Sequence, residues 1–99
     1  MIQEVAELTI KPGLEGDFER GVEKAVPLFL RARGCHGVSL HRVIETPQVY
    51  RLVVDWETVE DHMEGFRGSA DFQTWREIVG PCFAAAPVVT HTRQVMSAR

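Results

Sequence analysis

Between Ile2 and Ile10 the chain alternates, with Ile2, Glu4, Ala6, Leu8 and Ile10 on one side and Gln3, Val5, Glu7 and Thr9 on the other. That period of two predicts a strand, which Lys11-Pro12-Gly13 ends. From Leu14 the spacing becomes helical: Leu14, Phe18, Val22, Ala25, Val26 and Phe29 form one apolar stripe, and Glu15, Asp17 and Glu19 sit near the positive N-terminal end. Pro27 inside this helix is expected to kink it or shorten its regular part. Gly34-Cys35-His36-Gly37 then provides a turn whose glycines free the backbone to reverse.

A second strand is predicted from about Val38 to Ile44, joined through Glu45-Thr46-Pro47-Gln48 to a third that runs from Val49 to Trp56. So short a link implies an antiparallel hairpin. Thr58 with Asp61 three residues on reads as a capping box, opening a helix with Val59, His62, Met63 and Phe66 on one face. Gly65 and Gly68 weaken it, and Ser69 caps a new segment in which Phe72, Trp75, Arg76 and Val79 share a face, up to Gly80-Pro81. Val88 to Val95 forms the last strand.

The order is that of one α+β domain over residues 1–99, a ferredoxin-like β-α-β-β-α-β fold with a four-stranded antiparallel sheet and helices on one face. Several strands carry apolar residues on both sides, Val5 against Ala6 and Val53 against Leu52 among them, so the second face also asks for cover. Two copies packed sheet to sheet in a homodimer would supply it. A chain of 99 residues buries only a modest core by itself, which points the same way.

Composition narrows the partners. With 25% charged residues, a formal charge of −3 and no basic stripe, nucleic acid is not expected. No apolar run approaches the ~20 residues of a membrane span, and the N-terminus lacks a signal-peptide layout, so a cytoplasmic globule is expected. Cys35 and Cys82 read as small buried hydrophobes. The four histidines, His36, His41, His62 and His91, lack metal-ligand spacing, and no metal site is expected. Nucleotide, flavin, zincin and serine-hydrolase motifs are missing too.

What remains is a constellation. Trp56 closes its strand and His62 follows six residues later on the expected inward face of the next helix, so a stacking ring and a proton-moving imidazole should share one pocket. Arg76 adds a cation, Phe66, Phe72 and Trp75 offer a wall for a flat ring, and Tyr50 and His91 are further lining candidates.

Pro12-Gly13, Gly34-Cys35-His36-Gly37, Trp56-Glu57, His62…Phe66…Ser69…Phe72 and Pro87-Val88-Val89…His91 together resemble the antibiotic biosynthesis monooxygenase family, from about residue 3 to residue 95. The resemblance implies a dimeric α+β barrel. Members include cofactor-free oxygenases of polycyclic phenols and quinols, haem-degrading enzymes and an isomerase of a signalling sugar. Trp56 and Arg76 match a tryptophan and an arginine of the polyketide oxygenases, whereas His62 stands where they have tyrosine and Leu52 where they have asparagine. The quinol oxygenase branch is more similar, with Gly-Cys-His-Gly and a helix histidine near His62. The haem-degrading branch, which needs a histidine at Arg76 and a tryptophan at Phe66, is less so.

The resemblance therefore implies a monooxygenase of a small aromatic, quinol or polyketide-like phenol, with molecular oxygen as co-substrate and neither flavin nor metal. His62 would be the general base, Arg76 would face developing negative charge, and Trp56, Phe66, Phe72, Trp75, Tyr50, Leu52 and His91 would hold the ring. The alternative is a non-catalytic dimer of the same fold that binds a small apolar ligand.

Overall fold

In the computed structural model, which describes residues 1–99, the strands follow the predicted order. β1 spans Ile2–Thr9, α1 Glu15–Leu30, β2 Cys35–Arg42 and β3 Val49–Trp56. A π-helical turn, Asp61–Phe66, leads into α2, Ala70–Val79, then a 3-10 turn, Gly80–Cys82, and β4, Val88–Thr92. The antiparallel sheet has the order β2-β3-β1-β4, which is the ferredoxin-like arrangement.

Alternation decides which residues form the core. Ile2, Glu4, Ala6, Leu8 and Ile10 all point under the helices and are buried, as are Tyr50, Leu52, Val54 and Trp56 of β3. Phe18, Val22, Ala25 and Phe29 of α1 meet them. Arg31 at the end of α1 makes a two-pronged bond to Asp71 in the first turn of α2, at 2.8 and 2.6 Å, which fixes the two helices against each other.

Four local expectations change. α1 continues through Pro27 to Leu30 because Pro27 lies on the exposed side, where the carbonyl it leaves unpaired can meet water. β2 begins earlier, at Cys35, with a bulge between Cys35 and Gly37, and ends at Arg42. β4 stops at Thr92, where pairing to Gln3 of β1 ends. Met63 does not join the inward face. The segment winds with π geometry, in which Arg67 N–H donates to the His62 carbonyl, so Phe66 and His62 turn inward and Met63 outward.

Gly34 carries the sharp turn into β2, with φ of +83° and its carbonyl accepting from Glu57 N–H at 2.7 Å. A Cβ there would collide with the carboxylate of Asp61. Gly34→Ala should destabilise by about 1–2 kcal/mol from the left-handed backbone alone, and more from the clash. Gly80→Ala, with open space around it, should stay within about 0.5 kcal/mol. Urea titration of the two variants checks the contrast.

The other sheet face is bare in the single chain. Val5 and Val53 pair directly across it and are half-buried, next to Val88 of β4.

Candidate functional site

Glu4 sits on the apolar side of β1 among Ile2, Ala6 and Leu8, where an acid needs partners. It has two. Trp56 is the register partner of Ile2, two residues from Glu4, so its indole crosses diagonally and donates Nε1–H to Glu4 Oε1 at 2.9 Å. His62, brought over the sheet by the π-helical turn, places Nε2 at 3.2 Å from the same oxygen. Its ring stacks on Trp56 at 5.5 Å between centroids and 19° between planes.

His62 has a second contact. His91 of β4 is the cross-strand partner of Glu4, and its Nε2 lies 2.8 Å from His62 Nδ1. The imidazole thus bridges two neighbouring strands, with both nitrogens engaged. Its two partners lie on opposite edges of the ring and cannot converge on one ion, and no three His, Cys, Asp or Glu side chains form a metal-holding group.

Burial governs the charges. His62 is 3% exposed, and burial first, then the nearby charges of His91 and Arg67, push it down to about 4, so the ring is neutral at neutral pH. Glu4 moves the other way. Burial lifts its carboxyl above the usual range, against the opposing pull of the Trp56 hydrogen bond and of Arg67.

Beside this array lies an open cavity of about 200 Å³. Its floor is the sheet, with Glu4, Ala6 and Leu52; Phe72, Trp75 and Arg76 of α2 stand over it. His62 and Arg67 border it, and Phe83 and Val89 close the far side. Neither Arg67 nor Arg76 has a carboxylate partner within salt-bridge distance.

The predicted residues separate into four groups. His62, Arg76, Phe72, Trp75 and Leu52 reach the cavity. Trp56 and Phe66 stand behind it: Trp56 is wholly buried beneath His62, and Phe66 packs on Trp56, Phe29 and Phe72. His91 adjoins it through His62. Tyr50 is the correction. It lies well down β3 from Trp56, and its hydroxyl donates to Glu19 of α1 while its ring meets Phe18 edge-on. Burial and that carboxylate push the phenol up to about 12, and the ring is not among the residues that line the cavity. Cys35 and Cys82 are free thiols, half-buried and buried, and burial pushes both up.

Glu4, Arg67, Phe83 and Val89 were not expected. Glu4 carried a signal, as the lone acid in an otherwise apolar alternation set. Arg67 carried none, because regular helical spacing would not turn it to the cavity.

Comparison with known proteins bears on the family and the fold. A family profile described as antibiotic biosynthesis monooxygenase matches residues 1–78. The uncharacterised protein YczJ of Bacillus subtilis is 40% identical over 95 residues, covering 96% of this chain and all of YczJ. A Bordetella bronchiseptica protein, whose crystal structure was assigned to the antibiotic biosynthesis monooxygenases, superimposes with a TM-score of 0.95 at 63% identity, over 96% of this chain and 97% of that one. SnoaB of Streptomyces nogalater, a cofactor-independent oxygenase, shares the fold at a TM-score of 0.80 and 12% identity, over 97% and 94% of the two chains. A profile match across most of the chain and a relative of this identity over nearly its whole length lead to one conclusion: the chain belongs to the antibiotic biosynthesis monooxygenase family.

Proposed function

We propose that this protein is a cofactor-independent monooxygenase that oxidises a small phenol, quinol or anthrone in the cavity between sheet and helices. One observation carries the reading: the buried Glu4–His62–His91 array, braced by Trp56, opens into a cavity with aromatic walls and two unpaired arginines. A deprotonated phenol or quinol is electron-rich enough to reduce oxygen itself. The protein then needs a dry pocket, a proton acceptor and positive charge facing the oxyanion. For an anthrone, the ring methylene loses both hydrogens and becomes a carbonyl. One atom of the oxygen molecule forms that carbonyl and the other leaves as water with the two hydrogens. The substrate supplies all four electrons, so no flavin or metal is required.

Size sets the substrate class. Pockets for drug-sized ligands hold ~300–1,000 Å³, so about 200 Å³ favours two or three fused rings at most over a larger polyketide. SnoaB, of the same fold, is a cofactor-independent oxygenase, which supports the reaction type.

An oxygen electrode with a panel of naphthoquinols and anthrones, without added metal or flavin, tests this. Uptake of one oxygen molecule per substrate molecule is expected, falling ~10²-fold or more in His62→Ala. Saturable binding with no oxygen uptake anywhere in the panel would replace the enzyme with the non-catalytic ligand-binding dimer.

The bare sheet face belongs to the same proposal. Val5, Val53 and Val88, rimmed by Gln3, Glu7 and Arg51, present an apolar centre with a polar edge, suited to a second copy packed face to face. Analytical ultracentrifugation should give a dimer, and Val53→Asp a monomer, because the carboxylate would be buried without a partner.

A further inference from the structure

The two rings that reach the Glu4 carboxyl meet the same oxygen. Trp56 Nε1 and the His62 ring both contact Oε1, and no protein group bonds Oε2. Every buried side-chain oxygen in the molecule has a hydrogen-bond partner, so Oε2 is open to the cavity that Glu4 lines. His62 is more confined, since Nδ1 is bonded to His91 and Nε2 already lies 3.2 Å from Glu4 Oε1.

We propose that Glu4 Oε2, rather than the His62 ring, takes the proton from the substrate hydroxyl, and that His62 and Trp56 are positioning residues that aim it. This rests on the reading of the cavity as a phenol site. The substrate O–H bond breaks, an O–H bond to Oε2 forms, and the electron pair stays on the substrate as phenolate, facing Arg67 and Arg76.

The hydrogen-bond pattern survives the transfer. His62 Nε2 stays 3.2 Å from Oε1 whether Oε2 is bare or protonated, and the hydrogen bond between His62 Nδ1 and His91 Nε2 is untouched, so no ring has to turn. The electrostatics favour the same site. Burial lifts the carboxyl toward holding a proton, whereas an imidazolium at His62 would face His91 and Arg67 in a closed interior. Arg67, Arg76, His91 and the thiol of Cys35 are the other titratable groups around the pair.

The test separates this step from oxygen chemistry. A chromogenic nitronaphthol is titrated anaerobically into the protein below the phenol's own pKa, and absorbance reads whether it is bound as phenolate. Wild type should bind it ionised, and Glu4→Gln, which keeps the shape and loses the base, should bind it neutral. His62→Gln, whose amide N–H can still donate to Oε1, should retain the phenolate spectrum and keep turnover within ~10-fold of wild type, unlike His62→Ala. Circular dichroism establishes that each variant is folded, and the His62→Gln arm decides the matter if Glu4→Gln is not.

A neutral phenol in His62→Gln, or a phenolate in folded Glu4→Gln, overturns the proposal. So does a wild type that binds only neutral phenol. Phenolate binding without oxygen uptake would keep the role of Glu4 and remove the monooxygenase.

Discussion

Trp56→Ala should destabilise the protein by about 3–5 kcal/mol in urea titration at pH 7. The indole is wholly buried, stacked on His62 and packed at a tilt against Phe66, so truncation removes contacts to both rings and leaves a void. It also takes away the N–H that donates to the buried Glu4 carboxyl. A chain of 99 residues is typically stable by only about 5–15 kcal/mol, so this one change would remove about a fifth or more of the total. Trp56→Phe separates the two causes. It keeps a ring but no N–H, and a hydrogen bond to a charged group is worth about 1.5–3 kcal/mol. A loss below about 1 kcal/mol for Trp56→Ala would mean that the indole does not brace the site.

The second large effect appears only when pH is varied. His62 falls from 6.5 in the unfolded chain to about 4 in the fold, a difference worth about 3 kcal/mol. The unfolded chain binds the proton that the fold refuses. This contribution is therefore fully present above pH 6.5 and is lost as pH falls from 6.5 to 4. Glu4 has the opposite sign. Its folded carboxyl holds a proton more readily than the unfolded value of 4.5 allows, so its contribution is complete below that value and is lost as pH rises through the folded one.

In the wild type the two trends oppose each other. Glu4→Gln should therefore lose more than wild type on acidification from pH 6.5 to 4, up to about 3 kcal/mol in all, and His62→Gln should instead gain relative to wild type. Urea midpoints at several pH values give both difference curves. Flat curves would mean that neither group is held away from its ordinary titration.

Much of this was visible in the residues. Alternation from Ile2 to Ile10 separated the side that proves buried from the side that does not, because a strand's period of two leaves little choice once one face is buried. Ser69 was legible as a cap for a local reason: its hydroxyl accepts from Phe72 N–H within one turn. Tyr50 was misplaced because a shared face is not a shared pocket. It lies six residues from Trp56 along the same strand, roughly 20 Å away at ~3.3 Å per residue.

Glu4 was visible as an anomaly but not as a participant. Its partners Trp56, His62 and His91 are distant in sequence, and only the β3-β1-β4 order makes them neighbours. The engagement of both His62 nitrogens was likewise beyond reach, since it depends on how a wide turn is wound.

That turn also constrains how the family can vary. Deleting one residue between Asp61 and Phe66 would restore ordinary winding and swing the segments on either side by about 100° relative to one another, carrying the imidazole off the carboxylate. Changing the number of residues between Trp56 and Phe72 should therefore cost more than exchanging one for another, because the length of this stretch sets where the imidazole lies.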